Sequence, residues 1–270
     1  MPTRPSLAAA TLLIELAASA GCAHAQAGMG ESTAAVAALA AVARRIDAIN
    51  AHDTDAFLAA HAEDVAVYGY PDALFGEGRA RLADVFQPLF EQGLGSAQVH
   101  GQFALGHFVA SNETVVEDGA PQHIIYIYRI EAGAIESMRL IANTKEDAAG
   151  GAQHVSVAEQ SALAAVRRSI DGFNAHDVDA YVGAHAANVG IYVYPDRLLA
   201  LESAHLRRIF GPQLARGEGA VEVQGQWVQG NVVVTDELLT SNGVTEHVIV
   251  VHTVEAGVIT SIRLIEEESQ

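Results

Sequence analysis

The sequence predicts an α+β protein in which one fold is written twice in tandem, and three observations lead to this prediction. The segment Asn50–Asp72, NAHDTDAFLAAHAEDVAVYGYPD, returns without a gap at Asn174–Asp196 as NAHDVDAYVGAHAANVGIYVYPD, an offset of 124 residues (174 − 50). Each copy begins with apolar residues at intervals of three and four, which is typical of amphipathic helices. Each copy ends in alternating runs rich in β-branched residues, which are typical of strands. Any functional interpretation must therefore explain two copies.

The repeat extends along both copies and sets the predicted domain boundaries. The same offset relates Pro88 to Pro212, Gly101–Phe103 to Gly225–Trp227, His123 to His247, Glu131–Gly133 to Glu255–Gly257, and Arg139–Ile141 to Arg263–Ile265. We predict a first domain over residues 32–143, a linker over 144–155 and a second domain over 156–266. Residues 148–152, AAGGA, are expected to be the most flexible part of the linker, because glycine leaves the backbone free.

Composition and charge exclude several classes of protein. The chain has 270 residues, 50% of them hydrophobic, which is enough for two domains with their own cores. Its formal net charge of −18 opposes contact with phosphate groups. We therefore expect neither nucleic-acid binding nor docking on an anionic membrane through basic residues. Cys22 is the only cysteine, so packing rather than an internal disulfide must stabilise the fold.

The first 25 residues resemble an export signal. An apolar run, Leu7–Ala20, follows a basic residue and is too short to cross a bilayer as a helix. Ala23-His24-Ala25 has the small-x-small form of a signal-peptidase site. Removal of residues 1–25 would make Gln26 the first residue of a periplasmic or secreted protein. Two alternatives stay open: Ser19–Cys22 resembles a lipoprotein box that would place a lipid anchor on its cysteine, or the N-terminus is retained.

The first helix of each copy is predicted from its periodicity. Apolar residues recur at helical intervals from about Ser32 to Asn50. The corresponding helix of the second copy extends to about Phe173. It begins with Ser156 and Glu159, which have the spacing of a capping box.

Two further helices are predicted in each copy. Asn-Ala-His-Asp ends the first helix and starts a short second one, which Asp53 or Asp177 is placed to cap, so we expect the histidine of this motif to be structural. The third helix covers Gly78–Gln92 in the first copy and Ser203–Arg216 in the second. A proline inside each, Pro88 and Pro212, is expected to kink the helix or end its regular part.

Five strands per copy are predicted after or between these helices. The first strand is Val65–Tyr70, with Val189–Tyr194 as its counterpart, and a proline ends each. Four more runs close the first copy: Ala97–Leu105, His107–Glu117, His123–Glu131 and Ala134–Ala142. The last two are joined by Glu-Ala-Gly, in which the glycine is free to take positive φ.

This order of elements resembles the SnoaL-like, ketosteroid-isomerase-like superfamily, also called nuclear transport factor 2-like. The matching motifs are Asn50–Asp53, Ala62–Asp64, Tyr68–Pro71, Phe86–Pro88 and Gly133–Arg139. The resemblance implies a cone-shaped, curved antiparallel sheet wrapped on three N-terminal helices, with an apolar interior, once in each copy. It does not imply one activity, because the fold hosts isomerases, dehydratases, cyclases, binding modules and assembly domains.

The catalytic positions of the isomerase branch are not kept in either copy. The resemblance places that branch's helical tyrosine on Arg45 and Ser169, and its neutral acid on Tyr126 and Val250. It places the carboxylate base at Gly69 or Tyr70 in the first copy and at Val193 or Tyr194 in the second. None of these residues is of the required type, so the resemblance supports the fold and argues against isomerisation by that mechanism.

Tyrosine and histidine side chains are the candidates for a ligand site. Alternation places Ile124, Tyr126, Tyr128 and Ile130 on one face of a strand, which by the resemblance faces the interior. His61 and His185 are expected to face inward from the second helix. The candidate ligand-binding residues are His61, Tyr68, Tyr70, Tyr126, Tyr128, His185, Tyr192, Tyr194 and His252. They are equally consistent with core aromatic residues whose polar atoms bind the backbone. The first copy keeps more polar groups and is the better candidate.

Three classes of function remain. The leading one is binding of a small hydrophobic molecule without the isomerase residues. The second is a lyase, isomerase or cyclase acting on a polyketide-like or steroid-like substrate, with Tyr70, Tyr126 or His61 as acid and base. The third is a structural or interaction module. We expect neither a metal nor a cofactor, because the histidines lack ligand spacing and there is no phosphate loop or nucleophile elbow.

The two copies are expected to pair with each other, which would leave the chain a monomer. In this superfamily the outer face of the sheet commonly pairs two subunits. The outward positions of the strand are His123, Ile125 and Ile127 in one copy and His247, Ile249 and Val251 in the other. Most of these side chains are aliphatic, which is too apolar for a continuous patch facing water.

Separating the copies is therefore expected to expose this patch. Residues 26–145 and 152–270, expressed alone, should each dimerise or aggregate, and Ile125→Asp in the full chain should lower the melting temperature. Size-exclusion chromatography and thermal unfolding measure both effects. Stable monomeric halves, together with an unaltered melting temperature for Ile125→Asp, would show that the copies are independent.

Overall fold

A computed structural model describes residues 32–117, 119–142 and 155–267. The predicted signal peptide, Cys22 and nearly all of the predicted linker lie outside these ranges. The chain separates between Ser156 and Val157 into two compact units, which correspond to the two copies. No helix in the described part of the chain is long and apolar enough to span a membrane.

The first copy contains three helices and one six-stranded sheet. In chain order the elements are α1 (Thr33–Ala51), α2 (Thr54–Ala59), β1 (His61–Gly69), β2 (Ala73–Glu77), α3 (Arg79–Glu91), β3 (Ser96–Leu105), β4 (Phe108–Val116), β5 (Pro121–Glu131) and β6 (Ala134–Ala142). The strand order is β2-β1-β6-β5-β4-β3, and only β1 and β6 pair in parallel.

The second copy repeats this arrangement element by element. It contains α4 (Val157–Asn174), α5 (Val178–Gly183), β7 (His185–Val193), β8 (Arg197–Leu201), α6 (Ser203–Leu214), β9 (Ala220–Gln229), β10 (Val232–Ser241), β11 (Val244–Glu255) and β12 (Val258–Ile265). Its strand order is β8-β7-β12-β11-β10-β9. The predicted tandem α+β class, with helices ahead of each sheet, is thereby confirmed.

The Asn-Ala-His-Asp motif forms the junction between the first two helices. The side chain of Asn50 donates to the carbonyl of Ala97 (3.0 Å) and accepts from its amide (2.8 Å), which fixes the end of α1 to the start of β3. His52 takes a left-handed conformation at the end of α1, and its Nε2 lies 2.8 Å from the carbonyl of Gly95. Asp53 caps α2 by accepting from the amide of Ala56, as predicted.

The same junction occurs in the second copy with the same contacts. Asn174 clamps the backbone of Val221 at 2.9 and 2.7 Å, and Nε2 of His176 lies 3.0 Å from the carbonyl of Gly219. Asp177 caps α5. The motif therefore repeats because it holds the first helix to the third strand, and its histidine has a structural role.

The core of each copy lies between the helices and one face of the sheet. In the first copy α1 contributes Ala41, Val42 and Ile49, and these pack with residues of β4, β5 and β6. The predicted alternation in β5 is confirmed, because Ile124, Tyr126, Tyr128 and Ile130 all belong to this core. The second copy has an equivalent core on α4, β10, β11 and β12: Ala165, Val166, Val233, Val248, Val250 and Ile262.

Two sequence predictions about these elements were wrong. β2 and β8 were not predicted, because no residue of β2 and only one of β8 is buried, and no alternating apolar pattern marks them. β1 and β7 begin at His61 and His185, four residues before the predicted starts. The third helix of each copy continues past its proline, through Pro88 to Glu91 in the first copy.

Candidate functional site

The first copy buries a compact set of polar side chains between α1 and the sheet. Arg45 comes from α1, His61 from β1, Glu113 from β4, and Tyr126 and Tyr128 from β5. Arg45 is 2% exposed and Glu113 is 0% exposed, so both charges are removed from water. Burying a charge is costly unless it is paired and hydrogen-bonded, so the contacts of this pair decide its role.

An ion pair between Arg45 and Glu113 organises the set. Nη1 of Arg45 lies 3.3 Å from Oε2 of Glu113, and the hydroxyl of Tyr128 donates to Oε1 at 2.9 Å. The guanidinium also lies over two rings, 5.0 Å from the centre of Tyr126 and 5.5 Å from that of Tyr128. These rings stack at 5.3 Å. The cation is thus held by a carboxylate and two aromatic faces, and both carboxylate oxygens have a partner.

His61 lies beside this pair in its neutral form. Its Nδ1 is 2.7 Å from the carbonyl of Phe57 and therefore carries the proton, while Nε2 has no hydrogen-bond partner among the described residues. Burial, and after it the positive charge of Arg45, lower the pKa of His61 to about 3. Burial likewise raises the pKa of Tyr126 to about 12. Neither group titrates near neutral pH, where an acid–base catalyst works best.

The two histidines do not sit where the sequence placed them. His61 and His185 were predicted on the second helix, but α2 and α5 end before them and each is the first residue of a strand. Both are nevertheless buried, because each imidazole Nδ1 binds the carbonyl four residues earlier. For His185 this is the carbonyl of Tyr181 at 2.8 Å, and burial lowers its pKa to about 4.

The second copy keeps the carboxylate but not the arginine. At the offset of 124, Glu113 corresponds to Glu237 and His61 to His185, whereas Arg45 becomes Ser169. Tyr126 and Tyr128 become Val250 and His252. Three large side chains of the first interior are thereby replaced by smaller ones around a retained carboxylate.

Glu237 is held by a different set of contacts from those of Glu113. The hydroxyl of Thr235 donates to Oε1 of Glu237 at 2.6 Å. Nε2 of His252 lies 3.3 Å from that hydroxyl and 3.7 Å from the same carboxylate oxygen. Because Thr235 has one proton and gives it to Glu237, it accepts from His252, which places the imidazole proton on Nε2. Ser169 and Nε2 of His185 approach to 3.4 Å.

Two acceptor atoms of this set are left over. Within the described part of the chain, Nδ1 of His252 is buried without a hydrogen-bond partner. Among the same residues, no hydrogen bond or ion pair involves Oε2 of Glu237. These side chains are also more accessible than their counterparts, since Glu237, His185 and His252 are each 6% exposed against 0% for Glu113, His61 and Tyr128. The polar set of the second copy is thus slightly more exposed than that of the first.

The four remaining candidates lie at the far ends of the first strands. The guanidinium of Arg139 stacks on Tyr68 at 4.4 Å, and that of Arg263 stacks on Tyr192 at 4.8 Å. Each arginine also donates through Nε to the proline carbonyl that follows the strand. Tyr70 and Tyr194 lie just beyond the ends of their strands. The stacking gives Tyr68 and Tyr192 a role in holding these strand ends.

Sequence reasoning missed Glu113, Glu237 and Thr235. A signal for the glutamates existed, because Glu113 shares the alternating face of β4 with Val109 and Val115, which belong to the core. A glutamate recurs at the same place in the second copy. An acidic residue repeated on a core-facing strand position indicates a buried carboxylate that needs a partner.

A separate surface groove of about 540 Å3 lies between α4 and α5. Its lining is mainly glycine and alanine, with Arg168, Asp171 and Asp177 as the charged residues. Arg168 donates to the carbonyl of Gly257, Asp171 pairs with Arg167 at 3.6 Å, and Asp177 caps α5, so all three already have structural partners. The buried set of the second copy is the better candidate site.

Comparison with known proteins identifies the family. Residues 42–138 match the family model described as "SnoaL-like domain". No curated protein matches the chain. The first copy thus matches a SnoaL-like domain, and the second copy repeats its elements and strand order.

Solved structures similar to this chain include three with different descriptions. An NTF2-like protein of unknown function from Cytophaga hutchinsonii is 21% identical, over 39% of this chain and 89% of its own, with a TM-score of 0.35. An LEH-like epoxide hydrolase from M. tuberculosis is 20% identical, over 39% of this chain and 82% of its own, with a TM-score of 0.35. A putative ketosteroid isomerase from Kribbella flavida is 16% identical, over 42% of this chain and 82% of its own, also with a TM-score of 0.35.

The buried ion pair predicts unequal effects of the same substitution in the two copies. Glu113→Gln leaves the guanidinium of Arg45 buried without its counter-charge, which should lower the free energy of unfolding by about 3–5 kcal/mol. Glu237→Gln removes a carboxylate that has no arginine partner and should cost less. Urea unfolding of both variants measures the difference. Equal losses would mean that the Arg45–Glu113 pair adds nothing specific.

The buried histidines predict a loss of stability in mild acid. Burial lowers the pKa of His61 from 6.5 to about 3 and that of His185 to about 4, so between these values and 6.5 the unfolded chain binds more protons than the folded one. Their contribution is complete above pH 6.5 and is lost as the pH falls below it. Imidazole NMR signals of both should stay in the neutral form at about pH 5. Titration of either near its ordinary pKa would contradict this burial.

Proposed function

We propose that this protein, whose first copy is a SnoaL-like domain, binds a small, largely apolar molecule inside its second copy. In this proposal the first copy is a closed domain, because the Arg45–Glu113 pair and two tyrosines occupy the corresponding space. The observation that supports it is the replacement of Arg45, Tyr126 and Tyr128 by smaller residues around a carboxylate that the second copy retains.

The space left by these replacements is only partly refilled. Phe173 replaces Ile49, and Tyr181 replaces Phe57, so two larger side chains enter the second interior. Their rings pack with Phe210 at 5.6 and 5.7 Å, and the ring of Tyr181 also lies 5.1 Å from that of His185. The carboxylate and the imidazoles remain slightly accessible in their presence, which supports a cavity beside them.

The lining fits the usual composition of a small-molecule site. Ligand sites are mainly apolar with a few polar groups that fix orientation. Aliphatic residues of the second core supply the apolar part: Val166, Val233, Val248, Val254 and Ile262. Glu237, His252 and Ser169 supply the polar part. This assignment favours the second copy, whereas the sequence favoured the first for its larger number of polar residues.

Catalysis by the groups chosen from the sequence receives less support. Tyr126 and His61 are neutral at physiological pH, with pKa values of about 12 and about 3, so neither is suited to proton transfer there. Tyr126 is also stacked against Tyr128 inside the closed first copy. We therefore propose binding rather than lyase or isomerase chemistry, and we assign the structural role to the first copy.

We place this function outside the cytoplasm, on the basis of the apolar run Leu7–Ala20 and the Ala23-His24-Ala25 site. Pairing of the two copies within one chain, proposed from the aliphatic outward face of β5 and β11, would leave each interior free for its own role.

Native mass spectrometry of the full chain, purified from its own host, tests the binding proposal. We expect a small molecule to be retained, and we expect the double substitution Val250→Tyr and His252→Tyr, which restores the first-copy residues, to expel it. Tyr126→Phe is the matched control, because it preserves the volume of the first copy and should keep the molecule. Retention unchanged by the double substitution, or no retained molecule in any preparation, would contradict the proposal.

A further inference from the structure

The first copy displays the chemistry that a ligand of the second copy would need. There a guanidinium lies between the carboxylate of Glu113, at 3.3 Å, and the two tyrosine rings. The second copy retains that carboxylate as Glu237, and Ser169 stands where the arginine would begin. One interior thus contains a bound cation as part of the chain, and the other contains its counter-charge alone.

We propose that the second copy binds an organic cation, a guanidinium or protonated amine on an apolar body. Its charged nitrogen takes the place that the guanidinium of Arg45 takes in the first copy. This inference rests on the proposed function, since it names the chemical class of the molecule that would bind there.

The free atoms of the site match a donor with several N–H groups. Oε1 of Glu237 already accepts from Thr235, and no hydrogen bond within the described part of the chain involves Oε2. Nδ1 of His252 is an acceptor, because the imidazole proton lies on Nε2. Guanidinium and ammonium groups carry donors only, so one cation can satisfy both atoms. Hydrogen bonds to a carboxylate from such a donor are among the stronger ones.

Among the described residues, three basic side chains of the second interior, His252, Arg263 and His185, are engaged elsewhere. His252 approaches Oε1 at 3.7 Å but occupies the place of Tyr128, not that of Arg45. Arg263 is bound to the carbonyl of Pro195 and the hydroxyl of Ser261. His185 is held by the carbonyl of Tyr181, and burial keeps it neutral by lowering its pKa to about 4. None of these three side chains pairs with Oε2 of Glu237 as Arg45 pairs with Glu113, and the proposal assigns that role to a ligand.

Charge selects against the opposite class of ligand. A carboxylate or phosphate ester would meet Glu237 in a poorly hydrated interior, where like charges repel strongly. The chain as a whole carries a formal net charge of −18, which attracts cations and repels anions before they reach the site. A neutral molecule would leave the buried carboxylate without a counter-charge.

Isothermal titration of the full chain with n-propylguanidine, which is the arginine side chain itself, tests the proposal. n-Propylurea is the matched neutral probe, with the same shape and no charge. We expect n-propylguanidine to bind about tenfold more tightly or better, as charge-assisted hydrogen bonds require. Glu237→Gln should remove this preference, whereas Glu113→Gln should not, provided that circular dichroism shows each variant to be folded.

A second variant tests the site without removing the carboxylate. Ser169→Arg supplies the guanidinium from the chain and should abolish binding of n-propylguanidine while raising the melting temperature. Ser169→Met, of similar length and uncharged, should block binding without that stabilisation. These results would not be expected if Glu237 had a purely structural role.

The outcomes separate this inference from the proposed function. Equal binding of both probes, or binding of n-propylguanidine that survives Glu237→Gln, would overturn the inference that the ligand is a cation. The proposal that the second copy binds a small molecule would still stand, with a neutral ligand. Retention of a neutral molecule in native mass spectrometry, without binding of n-propylguanidine, would also overturn the cation and keep the binding proposal. Failure of both probes together with no retained molecule overturns both proposals.

Discussion

A carboxylate buried on the core-facing side of a strand determines what each copy must place around it. Glu113 and Glu237 lie at the same position of the fold, on β4 and β10, and each is at most 6% exposed. A buried charge is tolerated only when partners compensate for lost water, so the neighbouring positions cannot vary independently of it. In the first copy the partners are Arg45 and Tyr128, and both carboxylate oxygens of Glu113 are bound. In the second copy Thr235 and His252 compensate only one side.

The backbone contacts that join the helices to the sheet are the same in both copies, so the side chains of the two interiors can differ. Asn50 and Asn174 clamp the start of the third strand, and Asp53 and Asp177 cap the second helix. These contacts involve backbone groups, so they do not depend on which side chains fill the core. The most exact part of the sequence repeat therefore reports the junction between helices and sheet rather than the functional chemistry.

The features predicted correctly from the sequence are those that local residue patterns determine. Helical periodicity located the first and third helices of each copy to within a few residues. Alternation in β5 correctly placed Tyr126 and Tyr128 toward the core. Capping by Asp53 and Asp177 followed from side-chain chemistry at a helix start. These features depend on near neighbours in the chain, and single-sequence reasoning reads such neighbours well.

The features that the sequence did not predict depend on contacts between segments that are distant in the chain. Arg45 and Glu113 are 68 residues apart, and only the crossing of α1 over β4 brings them together. β2 escaped prediction because it is an exposed edge strand, for which pairing with β1 substitutes for burial. His61 was assigned to the second helix from the family resemblance. The register of β1 with β6 shifts after His61, which draws this residue into the sheet.

Two acceptor atoms of the second interior, Nδ1 of His252 and Oε2 of Glu237, lack a hydrogen-bond donor among the described residues, and the proposed ligand would supply one. An unpartnered imidazole nitrogen and a carboxylate oxygen without a donor both reduce stability, and apolar residues of similar size would not incur that cost. The first copy shows that this fold can satisfy the carboxylate completely when an arginine is present. Conflicts of this kind within an otherwise consistent fold tend to occur at functional sites. A bound cation would resolve the conflict and stabilise the folded state by mass action, so the stability missing from the second interior would return as binding free energy.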